Sequence, residues 1–179
     1  MQLTSGSLPD DASPLLTDLR RMLLDDIAGA LLMDHTPWKT LVQSVSQHFD
    51  SVGWKWNGLY RLEARDRLEL HLAAGPPVCQ TLYGDGEVGS SGMCFDALYR
   101  HQSLSTNEAH DWPGYVSCDH ESGLSTSGAL VIPILKADGS AYWGVWDLDS
   151  ESPLMPSDAL FMERLIACLA TLTPPPLQD

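Results

Sequence analysis

The sequence predicts an α+β fold: a central antiparallel sheet with N- and C-terminal helices packed on one face. Three observations carry that expectation. Apolar residues recur at helical spacing near both ends of the chain, and period-two alternation fills the middle between glycine-, proline- and charge-rich turns. At 179 residues and 44% apolar, the chain is long enough for one well-buried core. There is no internal repeat, and the natural division is a disordered leader at 1–13, one domain at 14–173 and a tail at 174–179.

The elements follow in order. Pro14 suits the first position of a helix capped by Ser13, and "LLTDLRRMLLDDIAGALLMD" places Leu15, Leu19, Leu23, Ile27 and Leu31 on one stripe. A second helix, "PWKTLVQSVSQHF", follows Thr36 and offers Trp38, Leu41, Val45 and Phe49 to a core. "NGLYRL" and "RLELHLAAG" alternate around the charged turn "EARD", the pattern of a hairpin. "GDGEVGSSG" reads as a flexible loop; it lacks the lysine and the strand-to-helix setting of a phosphate-binding loop. "MCFDALYRHQ" suits a short helix, and "ALVIPIL" and "AYWGVWDLD" read as strands joined by "KADGS". A last helix, "SDALFMERLIACLATL", ends at three prolines.

Charge narrows the functional classes. Twenty-four acidic against ten basic residues give a formal charge of −14, which repels phosphate backbones and anionic headgroups. Nucleic acid and membrane partners are therefore not expected. The opening "MQLTSGSLPDDASP" is small, polar and acidic, and no apolar run approaches spanning length, so a cytoplasmic location is expected. Thiols are kept reduced there, which favours free, reactive or metal-bound cysteines over structural disulfides.

The four cysteines are not alike. Cys168 lies in "LIACLATL" and suits core packing. Cys118 sits in "YVSCDHESG", between polar neighbours in a stretch that reads as an exposed loop. Metal ligation needs short-range pairs that these cysteines lack, so no metal is expected, and a hydrolase would need a base and an orienting partner that spacing alone does not supply. Redox chemistry accounts for more of the pattern. A thiolate oxidised to sulfenic acid needs a second thiol to condense with it before further oxidation. Cys79 follows "GPPV", Cys94 follows the glycine loop and Cys118 follows "WPGYVS", so three thiols lie in or beside loops. Cys94 also lies near a helix start, where the dipole is expected to lower a thiol pKa.

"NGLYRL", "GPPVCQ", "GMCFDAL", "AHDWPGYVSCD", "LVIPIL" and "GVWDLDS" resemble, in order, the signature blocks of the free methionine-(R)-sulfoxide reductases. These are single GAF-domain enzymes that reduce free rather than peptide-bound methionine sulfoxide, and the resemblance runs from about Leu31 to Leu169. It implies a GAF-like fold, Cys118 as the catalytic cysteine, Cys79 as the principal resolving one and Cys94 as a second recycling thiol. It implies that Trp56 packs against the methyl-sulfur end of the substrate, with Tyr60, Asp147 and Asp149 in the same pocket. A thioredoxin-like reductant, no cofactor and a homodimer are implied as well. Independently, two carboxylates at i and i+2 point to one face of a strand. In a pocket such a pair binds an ammonium, and mutual repulsion favours a proton on one of them, available to a departing sulfoxide oxygen.

The chain departs from the family in its longer loops before Cys94 and after Cys118, and in Ala129, which stands where the family carries a pocket glutamate. Glu121, in the lengthened loop, is the candidate to compensate. Two functions therefore stand: a reductase of free methionine sulfoxide, and a GAF-type ligand-binding or redox-sensing protein without reductase activity. Retention of three thiols and both aspartates favours the first.

Overall fold

A computed structural model describes residues 14–33, 36–116, 123–136 and 138–176. Helices α1 (Pro14–Leu32) and α2 (Pro37–Phe49) lead, through a one-turn 3-10 helix at Asp50–Val52, into the hairpin β1 (Trp54–Ala64) and β2 (Arg67–Ala74). β3 (Thr81–Tyr83), α3 (Gly92–Arg100), β4 (Leu104–Thr106) and a second 3-10 turn (Ala109–Asp111) come next, then β5 (Gly128–Leu135), β6 (Tyr142–Ser150) and α4 (Pro156–Leu172). The six strands form one sheet in the order β3-β2-β1-β6-β5-β4, with every neighbouring pair antiparallel. This is the α+β architecture that the sequence predicts.

Alternation along the strands divides the core between the two faces. Leu59, Leu130, Ile132, Ile134, Trp146 and Leu148 pack under α1, α2 and α4, so the terminal helices share one face as expected. Fully burying such a side chain contributes about 1.5–3 kcal/mol. α1 and α4 are joined by a buried ion pair: Arg20 Nη2 lies 2.6 Å from Asp158 Oδ1 and donates to Ser157 Oγ at 3.0 Å. α1 and α2 are tied by Asp26, whose Oδ2 accepts from Ser44 Oγ at 2.7 Å and lies 2.8 Å from His48 Nε2. Asn57, buried on this face, donates to the Val42 carbonyl at 3.1 Å and accepts from Trp146 Nε1 at 3.2 Å. Its polar groups thereby escape the cost of unpaired burial. After α4, the Pro174 and Pro176 carbonyls accept from the indoles of Trp38 and Trp143, each at 3.1 Å.

The opposite face carries Trp56, Tyr60, Ala129, Val131 and Val145, packed against Met93, Phe95 and Leu98 of α3. A register shift in β1 between Trp54 and Trp56 sends these two indoles to opposite faces.

Some local expectations fail. Leu15 is exposed, so the buried stripe of α1 starts at Leu19. Cys168 is exposed rather than in the core. The buried stripe of α4 is Phe161, Met162, Leu165, Ile166 and Leu169, and Cys168 falls off its edge. The glycine-rich loop also carries local ties: Asp85 Oδ1 accepts from Ser90 Oγ at 2.6 Å, Ser91 Oγ at 3.0 Å and the Glu87 N–H at 3.0 Å. The leader at 1–13, Ser13 among it, lies outside the described residues.

Candidate functional site

On the α3 face a cavity of about 80 Å³ opens between the sheet, the start of α3 and the segment 109–116. Space of that size holds roughly half a dozen waters or a small ligand of amino-acid dimensions. Trp56, Tyr60, Cys94, Asp147 and Asp149 all line it. Five of the sequence-predicted site residues therefore meet in one place.

Strand pairing explains the meeting. In β6, Asp147 and Asp149 are two apart and share a face, as the sequence predicts. Asp149 is paired with Trp56 of β1 on one side and Ala129 of β5 on the other; Asp147 is paired with Gly58 and Val131. The carboxylates thus stand between an indole and a small apolar wall. Gly58 is what admits the indole. A Cβ there would lie 2.7 Å from Trp56 Cη2 and 2.9 Å from the Leu72 carbonyl oxygen, far inside van der Waals contact. Trp56 is 2% exposed, and its Nε1 has no hydrogen-bond partner among the described residues. That leaves a buried donor for a ligand's acceptor atom.

Cys94 occupies the third position of α3 and donates from Sγ to Asp147 Oδ2 at 3.4 Å. Burial first, then the charge and hydrogen bond of Asp147 and the charge of Asp149, push its thiol well above the ordinary cysteine pKa. The dipole effect anticipated from the helix start is overridden, and Cys94 is a buried thiol rather than an accessible thiolate. The Tyr60 phenol is pushed upward as well, by burial and then by Asp147, Cys94 and Asp149. It stays a donor, and its hydroxyl reaches the Cys79 carbonyl oxygen at 2.8 Å. Cys79 lies half-buried between β2 and β3, one residue beyond the cavity-lining Val78, and is disulfide-bonded, whereas Cys94 and Cys168 are free. Cys118 and Glu121 lie outside the described residues.

Sequence reasoning assigned no role to the glycine-loop exit or to the 109–116 segment. Ser91, Gly92 and Met93 line the cavity on one side and Tyr115 and Val116 on another. The blocks "GMCFDAL" and "AHDWPGYVSCD" contain most of them, and Asp96 within an otherwise apolar helix was the available signal. Among the described residues, no cluster of three histidine, cysteine or acidic side chains is arranged to hold a metal. No helix among them is long and apolar enough to cross a membrane.

No protein-family model and no curated protein matches the chain. Solved structures do. One is the free methionine-R-sulfoxide reductase from Neisseria meningitidis in complex with its substrate, with a TM-score of 0.72 and 24% identity over 93% of this chain and 94% of that one. The reduced form of fRMsr of Staphylococcus aureus gives 0.68 and 20%, over 90% and 96%. The GAF domain of a phosphoenolpyruvate-protein phosphotransferase from Coxiella burnetii gives 0.65 and 16%, over 88% and 93%. At these identities the likeness is one of fold, and the fold is that of GAF domains, free methionine-R-sulfoxide reductases included.

Proposed function

We propose that this chain reduces free methionine-(R)-sulfoxide to methionine, with Cys118 as the attacking thiol and Cys79, or more slowly Cys94, as its resolving partner. The observation that carries the reading is one amino-acid-sized cavity lined by two carboxylates, an indole and a thiol, whose Tyr60 also holds the segment of a disulfide-bonded cysteine. A pocket that only binds a ligand has no need of resolving thiols.

Asp147 and Asp149 take the ammonium of the free amino acid, and Trp56 packs on its methyl-sulfur end. A proton held by the carboxyl pair passes to the sulfoxide oxygen and makes the sulfur electrophilic. Cys118 then accepts the oxygen as sulfenic acid and is oxidised by two electrons, while the substrate sulfur is reduced by two and leaves as methionine. Condensation of the sulfenic acid with the Cys79 thiol forms a disulfide and expels water. A thioredoxin-like dithiol in a reducing, cytoplasmic setting returns both thiols. Cys79 being disulfide-bonded while Cys94 and Cys168 are free supports this order of resolution.

A second reading, a ligand-binding protein on the same fold, is favoured by one observation. Ala129 lines the cavity beside Asp149 where the resemblance calls for a glutamate. A single-turnover assay on Cys118→Ser and Cys79→Ser separates the two. The first variant should release no methionine, and the second should complete one turnover and stall. Stoichiometric methionine from Cys118→Ser would move the nucleophile to another thiol, and no methionine from any form, the wild type included, would replace the reductase reading with the binding one.

A further inference from the structure

We propose that Asp96 is a positioning residue for this site: its carboxylate clasps the glycine-rich loop and the 109–116 segment to α3, fixing two walls of the cavity together. The inference rests on the function proposed above. Asp96 is completely buried. Its Oδ1 accepts the Gly89 N–H at 2.7 Å, and its Oδ2 accepts Trp112 Nε1 at 3.0 Å and Arg100 Nη2 at 3.5 Å. The Arg100 guanidinium also lies 5.9 Å from the centroid of the Trp112 ring, closing the group on itself. All three partners donate, so the site demands an acceptor at both oxygens. Asparagine would satisfy one oxygen position and set an amide against a donor at the other.

The clasp holds parts that touch. Gly114, at a φ of +68°, presses so closely on the glycine loop that a Cβ there would lie 2.3 Å from the Ser90 carbonyl carbon. Gly92 and Met93 on one side of the clasp and Tyr115 and Val116 on the other all line the cavity. The chain runs on from Val116 to Cys118 in two residues. Apolar packing would hold these segments together equally well; a carboxylate with three directional donors sets their register.

Trp112→Phe tests this, because it keeps the ring beneath Arg100 and removes one donor. If the walls are assembled only part of the time, apparent affinity falls by the same fraction. The expected result is a rise of about tenfold in the Kd and KM for free methionine-(R)-sulfoxide with a smaller change in kcat. Amide exchange in 86–92 and 112–116 should accelerate, with β1 and β6 unaffected. Asp96→Asn should act in the same sense and more strongly, and the double variant should cost no more than Asp96→Asn alone, since both act through one contact. Wild-type exchange in the two loops overturns the proposal, as does strict additivity, or a uniform loss of stability at unchanged KM. Should the wild-type protein reduce no sulfoxide, the function above fails, and exchange in the two loops still decides the role of Asp96.

Discussion

Gly58→Ala should cost both stability and ligand affinity through a single atom. The added Cβ would stand 2.7 Å from Cη2 and 2.8 Å from Cζ2 of Trp56, against an ordinary carbon–carbon contact of about 3.5–4.0 Å. It cannot retreat, because the Leu72 carbonyl oxygen lies 2.9 Å away on the neighbouring strand. Nor is the indole free to slide along the sheet. At Gly75 even a Cβ would meet Trp56 Cδ1 at 2.9 Å, so the ring already lies in a slot between two glycines. The ring must therefore swing toward the cavity. Overpacking of this kind costs about 1–3 kcal/mol. For a chain of this length that lowers the unfolding midpoint by about 3–10 °C. Trp56 lines the cavity, so a ring displaced into it takes space from the ligand, and affinity for free methionine sulfoxide should fall about tenfold. Calorimetric unfolding and isothermal titration read the two effects separately. Trp56→Phe in the same background should recover the midpoint without the affinity. A Gly58→Ala protein with wild-type midpoint and wild-type affinity would refute the reasoning.

Other outcomes can be set beside it. Asp149→Asn should weaken sulfoxide binding while leaving thiol titration and disulfide formation unchanged; unaltered sulfoxide kinetics would count against the ammonium assignment. Asp147→Asn should lower the Cys94 pKa, since it removes the nearest negative charge and the hydrogen bond, so iodoacetamide should modify Cys94 faster in that variant. In the wild-type protein at pH 8 the exposed Cys168 should react well before the buried Cys94. Asp26 has its pKa lowered by Ser44 and then His48. Its contribution is thus fully present above its unfolded value and lost as pH falls through the lower folded one. Asp26→Asn should cost about 0.5 kcal/mol at pH 7, a difference that denaturant titrations should find gone in strong acid.

What could be read from the sequence was what is local. The stripes of α2 and α4, the β1–β2 hairpin and the β5–β6 pair follow from periodicity and turn residues that lie within one window. β3 and β4, three residues each, are too short to show a period. The acidic pair and Trp56 were legible because a motif carries them. The state of Cys94 was not, since it is set first by burial of α3 against the sheet and then by the Asp147 carboxylate, which lies 53 residues away in β6. Cys168 was misread for a smaller reason: a cysteine at the border of an apolar stripe looks the same in sequence as one at its centre. The Asp96–Trp112 contact spans 16 residues and joins a helix to a loop, a pairing no periodicity encodes.

The attachment after α4 runs in one direction. Prolines 174–176 have no N–H, so this stretch offers carbonyls alone, and the indoles of Trp38 and Trp143 are the givers. A segment of that kind lies across apolar side chains without competing for a place in the β-ladder. It cannot add itself to an open sheet edge as a further strand, nor serve as a template on which a second chain could pair. The same three residues that end the helix thus cover the core with a backbone inert toward β-aggregation. Replacing the buried Pro175 with valine would restore an N–H donor and a strand-forming residue to a stretch that has neither.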